Sequence, residues 1–246
     1  LGDISPAPGQ LEMLRSLKAS GKPFVVVVHA ARPMVLTEVE KLAPAILYAW
    51  IGGTRMGDGA ADILFGDYNP SAKTVISFPA ALGQIPVYYN AYNTGRPHQD
   101  GNEGPNDFWV SRYRDIPNSP LYPFGFGLSY TSFTYGELSI ESLGTAAAPK
   151  FEASIAVKNT GTREGEEIVQ LYIRDVVGSY VRPVKELKAF EKISLKPGES
   201  KLLTFTIDAQ MLRYFDENGN EVLEPGKFEV FVGGNSRDVK KAELRF

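Results

Sequence analysis

The sequence predicts a protein in two parts, an α/β half followed by an all-β half. In the first part, short apolar runs alternate with amphipathic helical patterns, which is typical of a parallel sheet with crossover helices. In the last part, apolar and polar residues alternate at every second position between turn motifs, which is typical of antiparallel strands. An aromatic-rich segment lies between them. We therefore predict three segments, residues 1–82, 83–134 and 135–246.

Residues 1–82 are predicted to form a partial parallel α/β sandwich domain. Helices are expected at Pro6–Ala19, Thr37–Leu42 and Ala60–Phe65, and the last of them ends at Gly66. Gly52–Gly59 is expected to be a flexible turn. Because no strand precedes the first helix, we expect further chain upstream of this sequence.

The strands of this half are predicted at Phe24–Val28, Ala45–Ala49 and Thr74–Phe78. The first two runs are apolar at every position and rich in aliphatic residues. Strands of this kind are usually covered on both faces in a parallel sheet. Together with the helices they predict a strand–helix repeat with right-handed crossovers.

Residues 83–134 form an aromatic-rich connection that we expect to be functional or to wrap another domain. Twelve of the 53 residues from Gly83 to Tyr135 are aromatic, whereas aromatic residues make up 11% of the chain. They are Tyr88, Tyr89, Tyr92, Phe108, Trp109, Tyr113, Tyr122, Phe124, Phe126, Tyr130, Phe133 and Tyr135.

Residues 135–246 predict a β-sandwich. Apolar residues alternate with polar ones at 151–157, 169–173, 203–207 and 228–232. Turns are predicted at Asn159–Thr162, Lys196–Glu199, Glu217–Asn220 and Pro225–Gly226, and Arg163–Glu167 is expected to be a solvated charged turn. About seven strands at this spacing indicate an immunoglobulin-like fold. The chain has no cysteine, which leaves a fibronectin type III-like sandwich.

Composition excludes several classes of function. The net charge of −3 and the lack of a basic block argue against nucleic-acid binding. No apolar run approaches the ~20 residues that span a bilayer. With no cysteine and only two histidines, we expect neither a disulfide nor a metal site, and no cofactor.

Three sets of residues are candidates for catalysis or ligand binding. Glu103, Asp107 and Asp115 could act as paired carboxylates on a glycosidic bond, but ordinary loop acids are favoured. Gly52–Gly59 lies between a strand and a helix, where phosphates bind, yet it lacks a phosphate-binding motif, so a tight turn is favoured. His29 and Arg32 follow a buried strand, at the edge where α/β sheets bind ligands; a structural role for Arg32 is at least as well supported.

A sugar-binding site is the strongest local hypothesis. Sugars present apolar faces and hydroxyl rims, so their sites combine aromatic platforms with charged hydrogen-bond donors. Arg96, His98, Trp109 and Arg112 supply both kinds of group. The alternative is that the aromatic residues pack between domains, and for the tyrosines and phenylalanines of 122–130 this alternative is favoured.

Several long motifs carry a resemblance to a known family. They are Ala61–Ser71, Ser77–Pro79, Gln84–Tyr89, Asn93–Pro97 and Leu121–Tyr130 in the first part, and Asn159–Gly161, Val169–Tyr172 and Pro225–Phe228 in the second. They resemble the C-terminal half of glycoside hydrolase family 3, especially its bacterial periplasmic β-glucosidases, including the fibronectin type III-like domain. Relatives commonly have Asn-Gly-Arg-Pro where this chain has Ala30-Ala31-Arg32-Pro33, which alters either the rim of the cleft or its packing.

The resemblance implies retaining hydrolysis of terminal, non-reducing β-D-glucosyl residues in β-glucosides or oligosaccharides. In the family the aspartate nucleophile lies on an N-terminal (β/α)8 barrel, and the acid/base glutamate lies just before the segment that residues 1–22 resemble. We therefore expect this chain to lack both catalytic carboxylates, to be inactive alone, and to require the missing barrel portion as its partner.

The resemblance also implies a periplasmic or secreted protein and allows a homodimer. Two alternatives to the enzyme portion stay open. The chain could be a non-catalytic carbohydrate-binding or structural module that reuses these domains. A nucleotide-binding protein with an appended sandwich is the third possibility, but it lacks its phosphate motif.

Overall fold

The computed structural model describes residues 2–97 and 109–246. Within them the chain divides into two compact units. Unit 1 comprises Leu1–Tyr68, Val75–Tyr88 and Arg96–Pro123, and unit 2 comprises Asn69–Thr74, Tyr89–Gly95 and Phe124–Phe246. The chain therefore passes between the units several times, and each unit is described by itself.

Unit 1 is built from three helices and a pair of parallel strands. In chain order these are α1 (Pro8–Ala19), β1 (Val26–Val28), α2 (Thr37–Leu42), β2 (Ile46–Tyr48), α3 (Met56–Phe65) and a short 3-10 helix (Leu82–Gln84). β1 and β2 pair in parallel, from Val26 opposite Ile46 to Val28 opposite Tyr48. The α/β class and the parallel direction are as predicted.

Two local predictions for unit 1 are wrong. Thr74–Phe78 is not a third parallel strand: the Phe78 N–H donates to the Tyr122 carbonyl at 2.8 Å, and the Leu121 N–H donates to the Phe78 carbonyl at 2.9 Å. The backbone of this segment is thus bonded antiparallel to a distant loop. In addition, α3 begins at Met56 and includes part of the glycine segment that we expected to be a turn.

The core of unit 1 is small and aromatic. Its fully buried hydrophobic residues among those described are Leu14, Leu36, Val39 and Phe78. Phe78 packs edge-to-face on Tyr48, with ring centroids 4.9 Å apart. Each residue of β1 and β2 is only half-buried, contrary to the prediction of full burial on both faces. Each of these strands pairs with only one neighbour in the described part of the chain, so each has an open edge.

Unit 2 is a β-sandwich. Its strands are β3 (Phe133–Tyr135), β4 (Ser139–Ser142), β5 (Lys150–Asn159), β6 (Gly165–Asp175), β7 (Glu186–Leu195), β8 (Ser200–Asp208), β9 (Tyr214–Phe215), β10 (Glu221–Val222), β11 (Lys227–Gly233) and β12 (Val239–Arg245). One short helix, α4 (Ala209–Leu212), follows β8. The predicted all-β part is confirmed.

Two four-stranded antiparallel sheets face each other in this unit. One has the order β12–β11–β6–β7; in the other, β5 pairs with β3 and β4 and also with β8. Alternate residues of the central strands, such as Ala153, Ile155, Val169 and Leu171, are fully buried between the sheets. This is the inward-facing half of the period-two pattern seen in the sequence.

Candidate functional site

Three of the predicted sugar-binding residues, Arg96, Trp109 and Arg112, lie on two segments of unit 1 that are hydrogen-bonded to each other. The Ser111 N–H donates to the Arg96 carbonyl at 2.9 Å, and Pro97 and Ser111 form a parallel bridge. This contact brings the backbone of Arg96 beside the segment that carries Trp109 and Arg112. His98 lies outside the described residues.

The exposure of these side chains suits a binding surface. Trp109 is 70% exposed, Arg96 is exposed and Arg112 is half-buried. A large indole that remains this exposed costs hydrophobic free energy unless a ligand or another surface covers it. The arginines provide planar donors that can bond the hydroxyl groups of a sugar.

A polar framework holds the Trp109–Arg112 segment in place. Asn118 accepts from the Tyr113 N–H through Oδ1 and donates to the Ser111 carbonyl through Nδ2, both at 2.9 Å. The Tyr113 hydroxyl in turn donates to the Gly83 carbonyl at 3.0 Å. These side-chain bonds therefore fix the loop together with the backbone bond between Ser111 and Arg96.

Gln84 is the buried centre of this framework, and sequence reasoning missed it. Its Nε2 donates to the carbonyls of Pro117 at 2.8 Å and Ser119 at 3.1 Å, while its Oε1 accepts from the Ala80 N–H at 2.6 Å. Gln84 is only 3% exposed. A glutamine in a three-residue 3-10 helix gives no periodic signal, so only its place in the Gln84–Tyr89 motif could have marked it.

The candidate carboxylates do not form a described catalytic pair. Glu103 and Asp107 lie outside the described residues, and Asp115 is exposed. In residues 2–97 and 109–246 there is no group of three or more histidine, cysteine or acidic side chains that could hold a metal ion. The described residues of the loop therefore show no pair of carboxylates that could serve as acid and nucleophile.

The edge of the β1–β2 sheet is a second candidate surface. His29 follows β1 and Trp50 follows β2, and both His29 and Arg32 are exposed. The Tyr48 hydroxyl donates to the Arg32 carbonyl and so fixes the loop. Trp50 has a φ of 53°, in the left-handed region that non-glycine residues rarely adopt. No feature of the sequence marks this conformation.

Two tyrosines of this unit, Tyr48 and Tyr122, hold their phenol protons more tightly than a free tyrosine because their pKa values are raised. Burial, assisted by the nearby Glu40 carboxylate, raises the pKa of Tyr122 to about 12. Burial also raises the pKa of Tyr48, although the Arg32 charge opposes it. Both phenols therefore stay protonated and serve for packing and hydrogen bonding.

The part of the glycine segment that precedes α3 forms a tight structural turn. A side chain at Gly52 would place its Cβ 2.6 Å from the Met56 side chain, so the close approach requires glycine. Asp58 lies in the first turn of α3 and pairs with Arg55 at 2.8 Å. An acidic residue at a helix start opposes phosphate binding there.

The described chain thus combines an α/β unit with parallel strands, an aromatic loop bearing arginines, and a β-sandwich. Residues 2–130 match the family described as glycosyl hydrolase family 3 C-terminal domain, and residues 167–236 match the fibronectin type III-like domain. The chain belongs to glycoside hydrolase family 3, which confirms the resemblance found in the sequence.

Relatives with known names support this assignment. The chain is 48% identical over 242 residues to the periplasmic beta-glucosidase of Salmonella typhimurium, covering 98% of this chain and 31% of that protein. It is 39% identical over 237 residues to a beta-xylosidase of Formosa agariphila, covering 96% of this chain and 31% of the relative.

Solved structures agree in fold. The beta-glucosidase of Listeria innocua, solved in complex with glucose, superposes with a TM-score of 0.92 at 40% identity. The match covers 100% of this chain and 34% of that one. The chain thus spans about a third of the length of the relatives it matches. In the part of the chain that the structure describes, no helix is long and apolar enough to cross a membrane.

Proposed function

We propose that this chain is the C-terminal portion of a retaining β-glucosidase that hydrolyses terminal, non-reducing β-D-glucosyl residues. The observation that carries the proposal is its similarity over nearly its whole length to the last third of such enzymes, at 48% identity to the Salmonella protein. The periplasmic name of that relative supports a periplasmic or secreted location.

We further propose that the chain alone is inactive because it lacks both catalytic carboxylates. A retaining glycosidase needs two carboxyl groups about 5 Å apart on opposite sides of the bond. The described residues offer only the exposed Asp115 in the candidate loop. The partner is then the N-terminal barrel portion, which corresponds to the part of the relatives' length that this chain does not span.

The exposed apolar surface of unit 1 supports a polypeptide partner. None of the residues of α3 is buried, although the helix is rich in apolar side chains. Phe65 is 84% exposed, Leu64 is 42% exposed and Val75 is 80% exposed. Apolar side chains left this open usually mark a surface that another part of the protein covers.

Arg96, His98, Trp109 and Arg112 are proposed as one wall of the sugar-binding cleft. Stacking of a pyranose face on the Trp109 indole would bury apolar area on both sides. The guanidinium groups would bond the ring hydroxyls, and His98 would add one further donor. These residues would act by binding and orienting the substrate and not by proton transfer.

The test is hydrolysis of an aryl β-glucoside, first by the pure 27.0 kDa chain and then by a chimaera. In the chimaera this chain replaces the C-terminal third of the Salmonella relative. We expect no turnover from the chain alone and measurable turnover from the chimaera. Turnover by the pure chain would refute the proposed absence of the carboxylates and would make Glu103, Asp107 and Asp115 the residues to substitute.

The proposed cleft wall is tested in the same chimaera. Trp109→Ala should raise KM about two- to tenfold, because loss of a stacking platform costs roughly 0.5–1.5 kcal/mol. Phe215→Ala is the matched control, since Phe215 is 65% exposed but lies on the sandwich. Equal effects of the two substitutions would contradict the assignment. Binding of glucoside by the chain alone, together with an inactive chimaera, would favour the non-catalytic module.

A further inference from the structure

The connecting segment Asn69–Thr74 belongs to unit 2, although the chain on both sides of it belongs to unit 1. The side chain of Asn69 holds the start of this segment. Its Nδ2 donates to the Glu164 carbonyl at 2.9 Å, and its Oδ1 accepts from the Ser129 hydroxyl at 2.9 Å and the Tyr130 N–H at 2.8 Å. These three bonds all reach residues of unit 2.

A buried ion pair holds the end of the connecting segment. The Lys73 ammonium lies 3.0 Å from Glu167 Oε2 and also donates to the Gly127 carbonyl at 2.9 Å. The Tyr135 hydroxyl donates to the other oxygen, Glu167 Oε1, at 2.8 Å. The side chains of Lys73 and Glu167 are only 12% and 6% exposed. Both carboxylate oxygens of Glu167 therefore have hydrogen-bond partners within the protein, at a position that is shielded from water.

The position of Glu167 corrects the prediction of a solvated charged turn at Arg163–Glu167. Glu167 lies in β6, and its carboxylate faces the connecting segment. The neighbouring Glu166 accepts from the Ser71 hydroxyl at 3.1 Å. Glu166 and Glu167, two of the charged residues in this run, thus bind side chains of the connecting segment.

Backbone bonds complete the attachment. The Thr74 N–H donates to the Phe126 carbonyl at 2.8 Å, and the Gly125 N–H donates to the Thr74 carbonyl at 2.7 Å. Gly127 approaches the segment so closely that a Cβ there would lie 2.3 Å from the Ala72 carbonyl oxygen. The segment is therefore hydrogen-bonded to the backbone of residues 125 and 126, as one β-strand is to another. The close contact at Gly127 leaves no space for a shift of the segment along this backbone.

The segment Tyr89–Gly95 is attached to the same unit in a different way. The Tyr89 ring stacks on Phe124 with centroids 4.3 Å apart, and the Val184 N–H donates to the Ala91 carbonyl at 2.9 Å. Tyr92 forms an antiparallel bridge with Pro183. The segments Asn69–Thr74 and Tyr89–Gly95 are thus both bonded to the sandwich.

We propose that the fibronectin type III-like domain is an anchoring domain, in which β6 holds the connecting segment through the Lys73–Glu167 pair so that the segment opens only when the sandwich unfolds. A buried pair fits this task because removing one partner leaves an uncompensated charge, which penalises any displaced register. This role goes beyond the proposed hydrolysis and does not depend on it.

Hydrogen exchange followed by mass spectrometry tests the proposal on the intact chain. In the native chain, the amides of Thr74 and Gly125 should exchange within about tenfold of the slowest amides of β5, because both open by the same global event. In Glu167→Gln, the two amides should exchange on the order of a hundredfold faster than those of β5. The double variant Lys73→Met/Glu167→Gln, which leaves no unpaired charge, should retain the fold and still open locally.

Lys201→Met is the matched control. Lys201 pairs with Glu191 at 2.9 Å in the same domain, but the two side chains are 50% and 41% exposed. The ratio of segment exchange to β5 exchange should stay at its native value in this variant. The proposal is overturned if the native segment already exchanges far faster than β5, or if Glu167→Gln accelerates both regions equally.

Discussion

Asn159 should be among the most sensitive positions of the sandwich. It is fully buried at the end of β5, and its side chain uses its whole bonding capacity. The amide nitrogen donates to the carbonyls of Arg163 at 2.7 Å and Leu195 at 2.9 Å. The amide oxygen accepts from the Thr131 hydroxyl at 2.7 Å and the Gly161 N–H at 3.0 Å. The Asn159→Ala substitution removes all of these bonds at once.

The expected loss in the free energy of unfolding depends on whether water can hydrogen-bond to the groups that lose their Asn159 partner. The bonds to Leu195 and Thr131 are buried, so each partner left unsatisfied costs about 1–3 kcal/mol. The bonds to Arg163 and Gly161 are partly exposed, and water can replace them at about 0.5–1 kcal/mol each. We therefore expect Asn159→Ala to lower the free energy of unfolding by about 3–8 kcal/mol, a large part of the ~5–15 kcal/mol typical of a domain.

Urea unfolding with two probes measures this effect. Both tryptophans, Trp50 and Trp109, lie in unit 1, so their fluorescence reports that unit, whereas the far-UV circular dichroism is dominated by the strands of unit 2. In Asn159→Ala, the urea midpoint measured by circular dichroism should fall strongly. The urea midpoint measured by tryptophan fluorescence should fall less. Asn218→Ala, in an exposed turn, is the control and should change stability by less than about 0.5 kcal/mol. A loss below about 1 kcal/mol for Asn159→Ala would refute the reasoning.

Three further substitutions have defined outcomes. Gly125→Ala should destabilise unit 2 by about 3 kcal/mol in urea titrations, because φ is +80° and the new Cβ would lie 2.0 Å from the Gln170 side chain. Gly198→Ala is its control, since Gly198 has a similar φ of +78° but open space around it, and this substitution should cost no more than ~2 kcal/mol. Phe65→Ser should reduce self-association in light scattering and change unfolding by less than ~0.5 kcal/mol, because the ring is 84% exposed. Burial raises the pKa of Asp175, so native stability should rise as the pH falls through that value; Asp175→Asn should raise Tm at neutral pH, and its advantage should shrink on acidification.

The sandwich was largely predictable because its strands are amphipathic. Alternation at 151–157, 169–173, 203–207 and 228–232 located β5, β6, β8 and β11. β7 gave a weaker signal, since it is an edge strand whose outward face is charged and whose Phe190 is 65% exposed. Edge strands carry fewer apolar residues because they contribute less to the core.

Unit 1 was harder to predict because its backbone bonds depend on residues far away in the sequence. Phe78 pairs with Tyr122, and nothing within Thr74–Phe78 distinguishes this arrangement from a parallel strand. Similarly, the loop of Trp109 is fixed by Gln84, whose bonds span more than thirty residues. A pattern of local hydropathy describes which face is buried, but not which distant carbonyl accepts a bond.

The contrast between the two cores bears directly on the proposed missing partner. Among the described residues, the buried cluster of unit 1 holds four hydrophobic side chains, whereas that of unit 2 holds seventeen. Since burial of apolar area supplies most of the stabilising free energy, we expect unit 2 to fold without help and unit 1 to be marginally stable. We therefore expect two unfolding transitions in the isolated chain, the earlier one seen by tryptophan fluorescence, and their merging into a single later transition in the chimaera. A single cooperative transition of a monodisperse isolated chain would show that unit 1 is complete, and it would remove the physical reason for a polypeptide partner.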